Sequence, residues 1–382
     1  VVVTISRPAY CNADDAARSI DFKPGVDEQA ALARALTSAA ENIDGQLHRV
    51  FYPWDGTRFF DWPNQGGSGG GQYADPWRLW FDQNDMVVMT ALVSGGVTIP
   101  LSAVFLEPVN DGPPYTYIEL DRSQSYMFGG NAQTPQHSIV PSGTWGFGAQ
   151  ADQVATLAAD VGDSDTTVTL SDGSQAGMGD LLVLGYGRGD APYPTAYGYA
   201  GALAPYVGER VLVTAKSAAD TGLAQSSGCT TESDADQALT WTGGGSLNVG
   251  EVVILDQEQM LVEQVIGTTA TVRRAWNGTT LATHSADVEI YALRQMTVSR
   301  AQLGTTASSY DSAAAVFKHR VPSLIRDLSI AETTNQVLQE GSGYARTVGS
   351  GEAAHPAPGV SLADKWDEAR TAFGRKARLR AV

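Results

Sequence analysis

Apolar positions recur at helical spacing only near the two ends of the chain. From Asp27 to about His48, Leu32, Leu36, Ile43 and Leu47 lie on one stripe at the helical period, with Ala39 and Ala40 between them. Asp27 and Glu28 complement the positive end of that helix. A shorter helix is expected over Asp14–Ile20, with Asn12 or Asp14 as its N-cap, before Pro24 and Gly25 interrupt the chain. The helical pattern returns after Pro322. There Leu324, Ile325, Leu328, Ile330, Ala331, Val337 and Leu338 mark a mostly buried helix to Gln339, stopped by Gly341 and Gly343. Ser361 caps a last helix that ends at Phe373, with Asp364 as the capping-box acid and Leu362, Trp366, Ala369 and Phe373 along its length.

Between the ends the period shortens to that of strands. Trp77–Phe81, Met86–Val93, Val104–Glu107, Tyr115–Leu120 and His137–Gly146 read as short strands. They are separated by turn text such as Ser94-Gly95-Gly96 and Asn110-Asp111-Gly112-Pro113-Pro114. A Gly/Ser-rich loop, Gln65–Gln72, precedes them. From about Ala149 to Ala315 aromatics thin out and the text repeats. Asp163-Ser164-Asp165, Val168-Thr169-Leu170 and Gly179-Asp180-Leu181-Leu182-Val183-Leu184 match Asp234-Ala235-Asp236, Leu239-Thr240-Trp241 and Gly250-Glu251-Val252-Val253-Ile254-Leu255. Each copy continues into a further strand, Glu209–Val213 and Glu258–Val262. A finer echo follows: Arg274-Ala275 leads to Gly278-Thr279-Thr280, and Arg300-Ala301 to Gly304-Thr305-Thr306. Such repetition indicates duplicated small β modules.

These elements give an expected α+β fold in three parts. Residues 1–150 form the N-terminal part of a helical body with a small β-sheet. Residues 151–317 are an inserted all-β region of duplicated modules. Residues 318–382 are the C-terminal helices of the body and a basic tail.

Charge narrows the function classes. The 382 residues carry 42 acidic and 25 Lys or Arg side chains, a net charge of −17, which argues against non-specific wrapping of nucleic acid. No apolar run reaches the ~18 residues that span a bilayer. Val1–Arg7 lacks a charged start followed by an apolar stretch, so no secretory leader is expected. Cys11 and Cys229 fit neither a disulfide framework nor a zinc site.

The five histidines, at 48, 137, 284, 319 and 355, have no metal-ligand spacing, and no nucleophile elbow, P-loop or dinucleotide glycine set is present. No enzyme, catalytic residue, metal or cofactor is therefore expected. Asp61, Asp82, Glu107 and Asp121 could supply a glycosidase pair, but solvated strand-face residues are much the stronger reading. Asp163/Asp165 and Asp234/Asp236 could bind calcium, yet lack the distal glutamate of a known loop and read first as turn residues. Asn277-Gly278-Thr279 reads as a turn rather than a glycosylation acceptor, and Arg188-Gly189-Asp190 as loop text. Trp54, Phe59, Phe60, Trp62, Trp77, Trp80 and Phe81 could form a stacking platform for sugars or bases. Core and subunit packing is the stronger reading. The terminal Arg375-Lys376-Ala377-Arg378-Leu379-Arg380 is basic in an acidic chain. It is a frayed end, a DNA contact or an arm that binds a partner protein.

The order of elements at the two ends resembles the head-to-tail connector (adaptor) family of long-tailed, siphovirus-type phages. A short helix and a longer one run into Arg49-Val50-Phe51-Tyr52-Pro53, and two helices close the domain. Phe60-Asp61-Trp62-Pro63, Ile118-Glu119-Leu120-Asp121, Gly143-Thr144-Trp145-Gly146, Ser342-Gly343-Tyr344-Ala345-Arg346 and Gly374-Arg375-Lys376-Ala377-Arg378 look similar to adaptor-like proteins of actinobacterial phages. The resemblance covers about 1–150 and 318–382. It implies a structural virion protein at the phage neck, between capsid and tail and assembled in the host cytoplasm. It implies a homo-oligomeric ring, usually a dodecamer, below the portal protein. The ring extends the DNA channel without specific DNA binding, touches no membrane, and docks the next neck or tail-terminator protein. Carried over, portal binding falls on Trp366, Phe373, Arg375, Lys376, Arg378 and Arg380. The alternative is a minor tail or baseplate component whose β modules bind carbohydrate or host.

Overall fold

The side chain of Asn12 accepts the backbone N–H of Asp15 at 2.8 Å, and helix α1 (Ala13–Ser19) starts there. In helix α2 (Val26–Leu47) the apolar stripe becomes a buried face, with Leu32, Leu36, Ala39, Ala40, Ile43 and Leu47 all but inaccessible. Helices α3 (Ser323–Gly341) and α4 (Val360–Phe373), from the far end of the chain, set Ile325, Leu328, Trp366 and Ala369 against that face. All four helices lie close to where periodicity and caps place them. The computed structural model describes residues 5–19, 26–62, 77–129, 134–187, 200, 207–235, 237–341, 347–348, 355–356 and 360–375.

Two small antiparallel sheets follow α2. One contains β1 (Trp54–Thr57), β3 (Met86–Ser94), β4 (Val97–Thr98) and β7 (Ile139–Trp145), in the order β1-β7-β3-β4. The other is β2 (Arg78–Trp80), β6 (Tyr117–Leu120) and β5 (Val104–Glu107), in that order. Phe81, Tyr115, Phe128 and Trp145 fill the core of this unit. These aromatics carry much of that core, since each such side chain removes ~150–250 Å² from water.

The remaining strands form a ten-stranded sheet that closes twice. They are β8 (Ala151–Thr156), β9 (Thr167–Thr169), β10 (Leu181–Gly187), β11 (Val207–Ser227), β12 (Ala238–Thr242), β13 (Val252–Leu255), β14 (Glu258–Ile266), β15 (Thr269–Arg273), β16 (Glu289–Ser299) and β17 (Ala315–His319). The inner barrel has six strands in the cycle β11-β12-β15-β14-β13-β16, and the pairing of β11 with β16 at Ala219↔Ala292 and Ala224↔Glu289 closes it. The outer barrel runs β8-β17-β10-β11-β16-β9, and a bridge between Leu157 and Leu170 closes it. Strands β11 and β16 serve both barrels. Their outer portions pair at Leu212↔Ser299 and Val213↔Val298. Each barrel has its own core: Leu182, Leu184, Val211, Val213 and Met296 in the outer, Trp241, Val253, Leu255, Met260 and Ile290 in the inner. A two-residue ladder, β18 (Thr347–Val348) with β19 (His355–Pro356), lies between α3 and α4.

The two barrels have the same topology. β10, β11, β16 and β17 of the outer correspond to β13, β14, β15 and β16 of the inner, while β8 and β9 correspond to β11 and β12. The register fixes the correspondence residue by residue: Leu184↔Glu209 matches Leu255↔Glu258, and Val213↔Val298 matches Val262↔Val272. One barrel is inserted between the fourth and fifth strands of its own duplicate.

This overturns the expectation of an α+β fold built on a helical body with a small β-sheet. Strand accounts for 38% of the chain and helix for 22%. The four helices are a layer on a mainly β protein. The misreading has a local cause. β11 continues past Val213 through Ala215-Lys216-Ser217-Ala218-Ala219-Asp220, whose small and polar residues show no alternation. Its strand conformation is imposed by pairing with β16.

Candidate functional site

The most organised polar chemistry of the chain is a clamp that occurs twice. In the inner barrel Glu258 opens β14 with its carboxylate inside the barrel wall. Arg274, at the end of β15, donates to it through Nε and Nη2, both at 2.8 Å. The backbone N–H groups of Ala275 and Ala282 donate to the same carboxylate at 2.9 and 3.0 Å. In the outer barrel Glu209 receives Arg300 Nε at 2.7 Å and Nη2 at 2.6 Å, with the N–H groups of Ala301 at 3.0 Å and Ser308 at 3.2 Å. A threonine closes each loop: Thr279 Oγ1 accepts the Gln259 N–H, and Thr305 Oγ1 the Arg210 N–H, both at 3.0 Å. Left-handed residues at Ala275 and Asn277, and at Ala301 and Leu303, turn both loops identically.

The electrostatics follow from this geometry. Burial pushes the Glu258 carboxyl up, but the Arg274 guanidinium, His284 and the two N–H donors outweigh it and bring it to about 2. Burial likewise opposes Arg300 and two N–H donors at Glu209, whose pKa ends below the ordinary value. Each clamp is a fully paired, desolvated ion pair with its remaining lone pairs used, the form in which such pairs hold a structure together.

A second cluster joins the chain's start to the outer barrel. Asp180, on the turn before β10, accepts Asn12 Nδ2 and the Gly177 N–H, both at 2.9 Å, and pairs with Lys318 Nζ at 2.9 Å. His319 Nε2 donates to the Phe51 carbonyl at 2.7 Å. Burial lowers its pKa to about 4, so the ring is neutral. Cys11 is held by Ser329 Oγ at 3.3 Å, and burial pushes its thiol up to about 12. A cavity of about 40 Å³ lies here, lined among others by Tyr10, Asp15 and Arg326, with room for water and not for an organic substrate.

The residues singled out in the sequence fall in different places. Trp366 is buried, and its Nε1 donates to Glu332 at 3.4 Å. Phe373 packs edge-on against Phe51 and Phe147. Arg375 is held by Asp85 and by the carbonyls of Asp82 and Asn84, the last at 2.7 Å, with Arg49 beside the same carboxylate. These three residues are used inside the fold. Lys376, Arg378 and Arg380 lie outside the described residues, as do Asp236 and the Arg188-Gly189-Asp190 tripeptide. Asp165 accepts the Gly162 N–H at 2.7 Å, as a turn residue does. Asp61, Glu107 and Asp121 accept nearby backbone N–H groups. Of the aromatics, Phe60 and Phe81 are in the core and Phe59 is exposed. Among the described residues no three His, Cys, Asp or Glu side chains converge as a metal site would require.

Sequence reading missed Asp85, Asp180 and the pairing of Glu209 with Arg300 and of Glu258 with Arg274. For the two clamps a signal was present: both members stand at matching positions of the duplicated text.

The fold and its polar sites define a duplicated double-barrel scaffold whose buried charges hold strands and loops in place. No protein-family model, curated protein or solved structure matches the chain.

Proposed function

We propose that the chain is a structural, non-enzymatic virion protein, a head-to-tail adaptor of a long-tailed phage. In this reading twelve copies form a ring below the portal protein, extend the DNA channel and dock the next neck or tail protein. The observation that carries it is the anchoring of the first and last described segments onto one body. Asn12 is bonded to Asp180 and Arg375 to Asp85, so the basic text from Lys376 onward follows an anchored residue. The ionisable groups of the clamps are spent on holding the scaffold, as a load-transmitting part requires, and the acidic balance suits a channel past which DNA slides.

Deleting residues 376–382 keeps the Arg375 contacts and separates folding from partner binding. The expected result is an unchanged unfolding midpoint with loss of co-sedimentation on purified portal rings, on which the full chain assembles as a ring in negative stain. Equal portal binding by the deletion, or no binding by the full chain, would refute the reading.

A further inference from the structure

We propose that the loop Arg274–Thr280, at the end of the inner barrel remote from the outer one, is a docking surface for an extended, uncharged strand of another polypeptide. The argument rests on the internal duplication. The equivalent loop of the outer barrel, Arg300–Thr306, already has an occupant within this chain, strand β1. Arg210 Nη1 pairs with Asp55 Oδ2 at 2.9 Å, and Nη2 donates to Asp55 Oδ1 at 3.2 Å. Arg210 Nη1 also donates to the Leu303 carbonyl at 3.2 Å, which ties the occupant to the loop. Gly304 lies so close under Asp55 that a methyl group there would run into the Asp55 carbonyl. The occupant is the edge strand of its sheet, and it is recognised by one side chain and by backbone approach at a glycine.

The inner loop has the same backbone course, with Gly278 in the position of Gly304. Among the described residues no strand lies on it as β1 lies on the outer loop; it packs on its own strand β14. Its recognition groups are changed. Gln259 replaces Arg210, Asn277 replaces Leu303 and Trp276 replaces Gln302, by the register of the two barrels. Asn277 Nδ2 donates to Gln259 Oε1 at 2.8 Å. That leaves Gln259 Nε2 as a donor and Asn277 Oδ1 as an acceptor without partners among the described residues. A donor beside an acceptor matches an amide and not a carboxylate. The occupant therefore carries Asn or Gln, or a bare peptide group, where β1 carries Asp55. Trp276 is half-buried with the exposed Arg273 guanidinium 5.5 Å from its ring, and Trp and Arg are the residue types that anchor protein interfaces.

The inference does not depend on the adaptor reading, because its readout is a peptide and not the portal. The probe is a synthetic peptide of residues 52–57 with blocked ends and carrying Asp55→Asn, titrated into the full chain labelled with fluorotryptophan, with the Trp276 resonance assigned by Trp276→Phe. Saturable movement of the Trp276 signal is expected, about tenfold tighter for the Asp55→Asn peptide than for the natural one, the order of a single charge mismatch at an interface. The variant Gln259→Arg, which restores the outer-barrel chemistry, should reverse that preference. If neither peptide moves the Trp276 signal, or if Gln259→Arg leaves the preference unchanged, the proposal is overturned. Equal unfolding midpoints for Gln259→Arg and the natural chain establish that the variant is folded.

Discussion

The outer and inner barrels share strand order and clamp, and they differ at the positions around it that meet something else. Glu258 is contacted by His284 Nε2 at 2.9 Å, and His284 Nδ1 meets Asp256 at 2.8 Å. The outer barrel has Tyr310 at the place of His284. Arg210 of the outer barrel reaches out to Asp55, where the inner barrel has Gln259. What is repeated is what closes a barrel: a carboxylate that gathers an arginine and two loop N–H groups, which would otherwise be buried unpaired. What diverges is what each barrel's neighbours demand.

The nesting should make the two barrels unequal in stability. The inner barrel is built from one continuous stretch, whereas the outer needs residues 151–217 and 295–319, which the inner barrel brings together by holding β11 and β16 side by side. Closing that gap without the inner barrel means closing a long loop.

The largest expected effect comes from breaking a clamp. Arg274→Ala takes the guanidinium from the buried Glu258, leaving the carboxylate only His284 and two backbone N–H groups, and should destabilise the protein by about 3–5 kcal/mol. Because the outer barrel depends on the inner, amide exchange should rise in both. Arg300→Ala should cost a similar amount but raise exchange only in the outer strands and the layers on them. Exchange confined to the inner strands in Arg274→Ala would break the dependence inferred from the nesting.

A smaller effect concerns pH and the seam between the outer barrel and the helical layer. His319 binds its proton at about 4 when folded, well below the ordinary histidine value of 6.5. The unfolded chain therefore holds more protons between those values, and stability is lost as pH falls from about 6.5 towards 4. The buried Asp180, Asp85 and Asp44, whose pKa values are raised chiefly by burial, act in the opposite sense, so the contribution is read as a difference. His319→Gln should unfold at a midpoint with a shallower dependence on pH in that window than the natural chain. Parallel curves would remove His319 from the account. The Glu258 clamp, in contrast, should persist until pH falls from about 4.5 towards 2, since its carboxyl is held at about 2.

The most confined effect should come from Gly304→Ala. Gly304 has φ +85°, and a non-glycine residue in that left-handed region costs about 1–2 kcal/mol. The added methyl also pushes Asp55 away, so exchange at β1 should rise while the inner barrel stays protected. Protection of β1 equal to that of the natural chain would show that the outer loop does not need close approach to hold its occupant.

Local sequence specifies the four helices, because a stripe at the helical period, an Asn12 cap and a terminal glycine all act within a few residues. It also determined the duplication, and with it the matching places of Glu209 and Glu258, and of Arg300 and Arg274. It did not determine that β11 runs as one strand of 21 residues, since half of that strand carries no alternation. Nor did it determine that one barrel sits inside the chain of the other, or that Arg375 is spent on Asp85. Those depend on which distant residues meet. Local pattern decides whether a segment can be a helix or a strand, but a strand has no stability until it is paired. A buried arginine has no role until a carboxylate from elsewhere in the chain is brought to it, and only the closed tertiary structure supplies either partner.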